Sequence, residues 1–373
     1  MKEQPSLIGR LSTTQSSAGF EEFLEEHVDN YWFYGYGKGA LRDGLAPFVS
    51  PGETAFLPAY IPDAVAKPFE ELGLDTVYYA VTEDLAPNVT DLESRIDEDA
   101  GVVVSVDYFG FPAPEWSAVA DLTTEYDCLH LDNCSHSPFS LVDGTLLGTR
   151  GDIGFTSMRK VLPMPDGACL YVDETLAGEI VPSEYAGKNE RLNAADISFL
   201  GRSAATEILG PTGTIQSTIA NLAVENASNC AGPSERYEAS KSPMSRLSSA
   251  VLSRVDPARI RGARRANYAA WDAGLTARPD VRPVRDEVTP GVCPQVYPVE
   301  ATVPERFLAD LTTCGVDAAT WPRLPKAVKA VSEYRNARRL ADQVITLPVH
   351  QQIDRSEIAA ICRELTTQHD TGE

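Results

Sequence analysis

Residues 148–172 read GTRGDIGFTSMRKVLPMPDGACLYV, and this stretch decides the fold. Two apolar runs, 152–157 (DIGFTS) and 167–172 (GACLYV), have the composition of strands. A turn rich in proline and glycine separates them, and Lys160 stands where the first run gives way to that turn. A lysine at a strand end can point into the crevice where ligands of open α/β sheets bind. Partial burial there lowers the pKa of the amine and frees it as a nucleophile for a carbonyl. By itself, such a lysine is more often an ordinary exposed residue at the start of a loop. The chain, however, has only eight lysines, at positions 2, 38, 67, 160, 188, 241, 326 and 329, so one in an apolar context is less readily filler.

Working outward, the first half alternates helical and strand patterns. Residues 18–31 (AGFEEFLEEHVDNY) and 39–49 (GALRDGLAPFV) have helical spacing, the second stopped by Ser50-Pro51-Gly52. Short strands are expected over 54–57, 76–80, 101–106 and 128–131, and helices over 63–72 and 116–126, with Asn88 as a helix N-cap. Continuous apolar strands separated by helices predict a parallel sheet covered on both faces. From about 190 to 280 the pattern is helical, and from about 285 strands and helices mix again, ending in a helix at 355–366.

Composition excludes several classes. The 373 residues suit a large domain plus a smaller one. The net charge of −22 repels phosphate backbones, so nucleic acid is not an expected partner. No run of about 18 apolar residues is present, so no membrane span is expected. The N-terminus lacks an apolar signal core, and the cytoplasm is the expected location. The seven cysteines are scattered and never form CxxC, which argues for buried free thiols rather than disulfides or a zinc site. An acidic, lysine-poor surface also suits a high-salt cytoplasm, where salt screens the repulsion among carboxylates.

Three further features could carry chemistry. Asp132 and Asn133 end the strand LHLDN, and His136 follows in the loop, where it serves equally as a satisfied loop histidine. Gly35-Tyr36-Gly37-Lys38-Gly39 runs into a helix, and its amides, the helix N-terminus and Lys38 could hold an anion. That turn lacks the spacing of a P-loop or of a dinucleotide fingerprint. Ser157 has no histidine placed by sequence to make it a nucleophile.

In this order the pieces resemble the DegT/StrS family of pyridoxal-phosphate (PLP) sugar aminotransferases. GYGKGALRDGL (35–45) resembles the turn that binds the cofactor phosphate, and PGETAFLPAYIPDAV (51–65) the strand and loop that follow it. LHLDNCSHS (129–137) resembles the strand ending in Glu-Asp-x-x-His/Gln-Ser, and 148–172 the GDIG segment with its cofactor lysine. LPVHQQIDRSEI (347–358) resembles the closing LPxHxxL segment, while 180–240 match little.

The resemblance implies an α/β fold of the PLP-dependent transferase class, the aspartate-aminotransferase type (fold type I). A mostly parallel seven-stranded sheet would form a large domain over 1–280, with a small C-terminal α+β domain over 281–373. It implies a homodimer, a keto sugar (nucleotide-linked) as substrate, glutamate as amino donor, and products that enter glycans or polysaccharides. Lys160 would carry the cofactor covalently and move protons. Ser157, Gly37, Lys38 and Gly39 would hold its phosphate, and His136 and Tyr108 would lie beside the ring.

Three departures from the family pattern stand out. The turn from Ser157-Met158 to Lys160 is short. Ile61-Pro62 and Lys38 replace the usual residues of their loops. Aligning His136-Ser137 with the family puts Asn133, not Asp132, at the place of the aspartate that faces the pyridine nitrogen, whereas a shift of one residue restores Asp132. These departures keep a second reading open, in which the fold survives as a catalytically weak or silent partner subunit.

Overall fold

The computed structural model describes residues 1, 2, 4–7, 19–208 and 233–371. Its centre is a seven-stranded sheet. The strands are β1 (Tyr31–Tyr34), β2 (Thr54–Pro58), β3 (Asp75–Tyr79), β4 (Ala100–Val106), β5 (Leu129–Asn133), β6 (Ile153–Ser157) and β7 (Ala168–Val172). Their spatial order is β1-β7-β6-β5-β4-β2-β3. From β6 across to β3 all neighbours are parallel, while β7 runs antiparallel to both β6 and β1. This is the mostly parallel sheet that the resemblance implies.

Both faces are covered. On one face, Leu131, Ile153, Phe155 and Leu170 meet helix α1 (Gly37–Leu45) in a large core. On the other, Phe56, Val103 and Tyr79 pack with Val119 and Leu122 of α2 (Trp116–Glu125). The two sides read differently because successive residues of a strand alternate faces. Gly44 lets α1 approach closely: a Cβ there would lie 2.7 Å from the Leu170 side chain.

A second, four-stranded sheet joins Val281–Pro283, Val296–Ala301, Val344–Pro348 and Ala319–Thr320. A long helix, Pro257–Leu275, starts where Asp256 accepts from the Arg259 amide at 2.9 Å and Pro257 presets the first turn. Its Trp271 is fully buried and donates to the Pro348 carbonyl at 2.9 Å, tying it to this second sheet.

The expected strands over 54–57, 76–80, 101–106, 128–131, 152–157 and 167–172 all form, within two residues at each end. Asn88 caps its helix, accepting from the Asp91 amide at 3.1 Å. The expected helix over 18–31 is cut short: it ends at Glu25, and Tyr31–Tyr34 is an edge strand paired with β7. Helical spacing in 18–31 hid four β-prone aromatics, 31–34 (YWFY). The second expected helix starts at Gly37 rather than residue 39. Much of 190–240, read as helical, lies outside the described residues.

Candidate active site at the C-terminal ends of the parallel strands

Loops after β2, β4, β5 and β6 converge at the carboxyl edge of the sheet. Lys160 ends a single turn, Met158–Lys160, that follows β6 directly. Its Nζ donates to the Ser135 hydroxyl at 3.0 Å. Burial lowers its pKa from the ordinary lysine range to about 7, and the Arg159 charge beside it pushes the same way. Near neutral pH, a large share of this amine is therefore uncharged and nucleophilic.

That shift gives a first prediction. Trapping of pyridoxal on Lys160 by borohydride, followed by mass spectrometry, is expected to reach half its maximum near pH 7. A midpoint close to the ordinary lysine value of about 10.4 would show the amine to be solvated. The linkage sign follows from the depressed folded pKa. The unfolded chain holds the extra proton between the two pKa values, so the burden on stability is full below pH 7 and is relieved as pH rises through that interval.

The glycine turn before α1 has no side-chain cap: Tyr36 occupies the N-cap position. The Gly39 amide donates to the Tyr36 carbonyl at 3.1 Å, which leaves the Gly37 and Lys38 amides to an outside acceptor. Lys38 lies there, its pKa lowered by burial and by the nearby charges of Arg236, Arg159 and Lys67, with no acid among the causes. The Arg159 guanidinium sits 5.5 Å from the Tyr36 ring centroid, and its buried Nε lacks a partner. Lys67 is paired with Glu70, but Lys38 and Arg159 make no ion pair with a described carboxylate, and in a chain of charge −22 these two cations suit an anion. Gly37 admits no side chain, since a Cβ would come within 2.9 Å of the Phe155 ring.

Strand register separates Asp132 from Asn133. Asn133 is level with Val106 and Phe155, and Phe155 faces α1, as its closeness to Gly37 shows. Asn133 therefore lies on the α1 face. Its Oδ1 accepts from the Ser135 amide at 3.1 Å. Asp132, level with Ser105 and Gly154, lies on the opposite face. There its carboxylate accepts from the Gly148 amide at 3.1 Å and from Arg150 Nε at 3.2 Å. Arg150 also donates to Asp107 at 2.7 Å. The last glycine of GDIG makes this possible: a Cβ on Gly154 would lie 1.8 Å from the Gly148 carbonyl oxygen, so only glycine lets that turn settle over the strand.

His136 and Tyr108 sit in an aromatic wall. The His136 ring stacks on Phe109 with centroids 6.0 Å apart and meets Trp321 edge-on at 5.1 Å. Its Nδ1 accepts from the Phe109 amide at 3.1 Å. Burial holds its pKa well below the usual range, reinforced by Lys160, so it is neutral. Tyr108 is fully buried and its hydroxyl is committed to the Tyr60 carbonyl at 2.6 Å. Ser157 is buried at the end of β6. The structure thus gathers Lys160, Ser135, Asn133 and His136 on one side, keeps Tyr108 behind the wall, and turns Asp132 away.

Sequence reasoning missed Arg159, Trp321 and Ser135. Arg159 was readable as the neighbour of Lys160 in a short turn. Trp321 reaches the wall from the second sheet's segment, which no local pattern reveals.

Residues 39–203 match the model of the DegT/DnrJ/EryC1/StrS aminotransferase family. Over that segment the chain is similar to the family. Its fold is shared with solved structures over most of each chain. TlmJ, an aminotransferase from Streptoalloteichus hindustanus, superposes with a TM-score of 0.65 at 18% identity, covering 94% of this chain and 90% of that one. The sugar aminotransferase CalS13 from Micromonospora echinospora gives 0.65 at 17%, covering 90% and 87%. DesI, crystallised in the presence of its TDP-sugar product, gives 0.66 at 16%, covering 95% and 84%. At such identities the likeness speaks for the fold. Comparison with curated protein sequences gives no match. Among the described residues, no helix is long and apolar enough to cross a membrane.

Proposed function

We propose that this chain is a PLP-dependent aminotransferase that moves an amino group from glutamate to a keto sugar, nucleotide-linked. The observation that carries the reading is a lysine amine with a pKa of about 7 at the sheet's carboxyl edge, beside an uncapped helix N-terminus and unneutralised cations. DesI, with its TDP-sugar product, supports the substrate class.

The residues fit the cofactor. Gly37, Lys38 and Gly39 at the start of α1, with Arg159 and Ser157, would hold its phosphate, because a dianion there answers cations that have no other counter-charge. Lys160 would hold it covalently. His136 would lie beside its ring as a neutral imidazole, and Tyr108 would back the aromatic wall through Tyr60. Bound PLP supplies a carbonyl for the donor's amine and a ring that delocalises negative charge. Lys160 then holds and returns the proton at the reacting carbon, with Nζ positioned by the Ser135 hydroxyl. Phe109 and Tyr60, each in ring contact with Trp321, would keep water from that side of the site.

The same reading divides the chain into a large domain over 1–280 and a small one over 281–373, pairs two copies as a homodimer, and places the product in glycan or polysaccharide synthesis in a salt-rich cytoplasm. The test is a half-reaction. Protein loaded with PLP is mixed with glutamate and then with a panel of nucleotide-linked keto sugars, while 2-oxoglutarate and amino sugar are quantified. Stoichiometric 2-oxoglutarate is expected. Protein that takes up no PLP would sink the proposal. Protein that takes it up but converts no glutamate would favour the silent-subunit reading, which the neutral Asn133 on the site's face motivates.

A further inference from the structure

We propose that Asn133 is the group facing the cofactor's ring nitrogen, donating a hydrogen bond from Nδ2, so that this nitrogen carries no proton. The inference rests on the aminotransferase reading above and adds a statement about electronic state to it.

The first step is which residue is available. Asn133 shares the α1 face with Phe155, and is linked through Ser135 to Lys160: the Ser135 amide donates to Asn133 Oδ1 at 3.1 Å, and Lys160 Nζ donates to the Ser135 hydroxyl at 3.0 Å. Asp132 lies on the far face, fully buried and held by Gly148 and Arg150. Bringing Asp132 to the α1 face needs a one-residue register slip of β5, which moves every side chain of that strand to the wrong side. Leu131 would leave the core and His130 would lose its 2.7 Å hydrogen bond with Ser105.

The second step is which end of the amide points outward. A backbone N–H can only donate, so the part of the Asn133 amide that meets the Ser135 amide must be oxygen. Nδ2 is then the outward end, and it makes no hydrogen bond to any described residue. An NH2 group is a donor alone, and a donor satisfies a pyridine nitrogen only while that nitrogen keeps its lone pair. Other groups on this side do not change the sign. Lys160 carries positive charge or none, and His136 is neutral. Asp132 and Asp107 sit across the sheet on Arg150, and Asp166, in the turn after Lys160, accepts from Ser245 and Ser248. Among the described residues, no carboxylate acts on Lys160 or His136 to favour a pyridinium.

The test uses the full-length protein loaded with PLP labelled with 15N in the ring. In wild type, the ring-nitrogen signal is expected at the position of a hydrogen-bonded neutral pyridine. Asn133→Asp keeps the size and the acceptor for Ser135, and is expected to move the signal to the pyridinium position. Asp132→Asn is expected to leave it where wild type has it. A wild-type signal at the pyridinium position, or an Asn133→Asp signal that does not move, overturns the proposal. Because Asp132 belongs to a buried ion pair, the comparison of wild type with Asn133→Asp decides even where Asp132→Asn fails to fold. Failure of wild type to bind the labelled cofactor would sink the aminotransferase reading itself, a result recognisable before any nitrogen signal is recorded.

Discussion

Replacing Lys160 with alanine is expected to abolish covalent PLP in the purified protein and to lower aminotransfer by at least about 10⁴-fold, the upper end of what one positioned proton-transfer group supplies. In the proposed reading the loss is this large because two tasks fall on one amine, holding the cofactor and moving the proton. Arg159 is a guanidinium rather than an amine, and it lies over the Tyr36 ring. Lys38 sits at the α1 turn, where its charge is needed by an anion. The measurements are the visible spectrum of the loaded protein, mass after borohydride reduction, and the glutamate half-reaction rate. Thermal stability should not fall, since the variant removes a group whose protonated form is penalised by burial. A variant that keeps reducible PLP at another lysine, or retains wild-type turnover, would place the cofactor elsewhere.

Arg150→Met is expected to cost about 3–5 kcal/mol of stability, the range for leaving buried charge uncompensated. Arg150 holds two fully buried carboxylates, Asp107 at 2.7 Å and Asp132 at 3.2 Å, and its guanidinium lies 5.0 Å from the Trp116 ring centroid. Methionine keeps the stem and loses the charge. Asp107 is already held well above the usual carboxylate range by burial and by the charge of Asp132, with Arg150 opposing. Removing Arg150 raises it further. A raised folded pKa means that the folded protein gains from the proton, so the deficit is expected to be greatest near neutral pH and to shrink as the pH falls toward about 5. Urea midpoints across that interval check it. A deficit that grows on acidification, or none at all, would show that the pair contributes no net stability.

How much of this was legible beforehand depended on scale. Parallel strands announced themselves because a strand buried on both faces must be apolar throughout, as 101–106 (GVVVSV) shows. Lys160 was legible from the strand and the Pro/Gly turn that flank it. The choice between Asp132 and Asn133 was not, because a strand's two faces can be told apart only relative to neighbouring strands. Register with Phe155 and the contact of Phe155 with Gly37 settle which side each takes, and both are long-range facts. A clue was present in Arg150, placed just before GDIG, which gives Asp132 an alternative occupation. The edge strand at 31–34 was missed because its partner, β7, lies more than a hundred residues away.

The buried Arg264 ties these distant parts together. It donates to the carbonyls of Val161 at 2.9 Å, Pro294 at 3.1 Å and Gln295 at 2.8 Å, and to the Gln351 side chain at 3.1 Å. Gln295 in turn donates to the Phe109 carbonyl at 2.7 Å, behind the ring that stacks on His136. A single guanidinium therefore fastens the residue after Lys160 to two stretches from the far end of the chain. Every oxygen it holds here is neutral, so mobile ions have little Coulomb attraction to screen. In a chain of net charge −22, the framework around the Lys160 amine is fastened by contacts to neutral oxygens, which dissolved salt screens little.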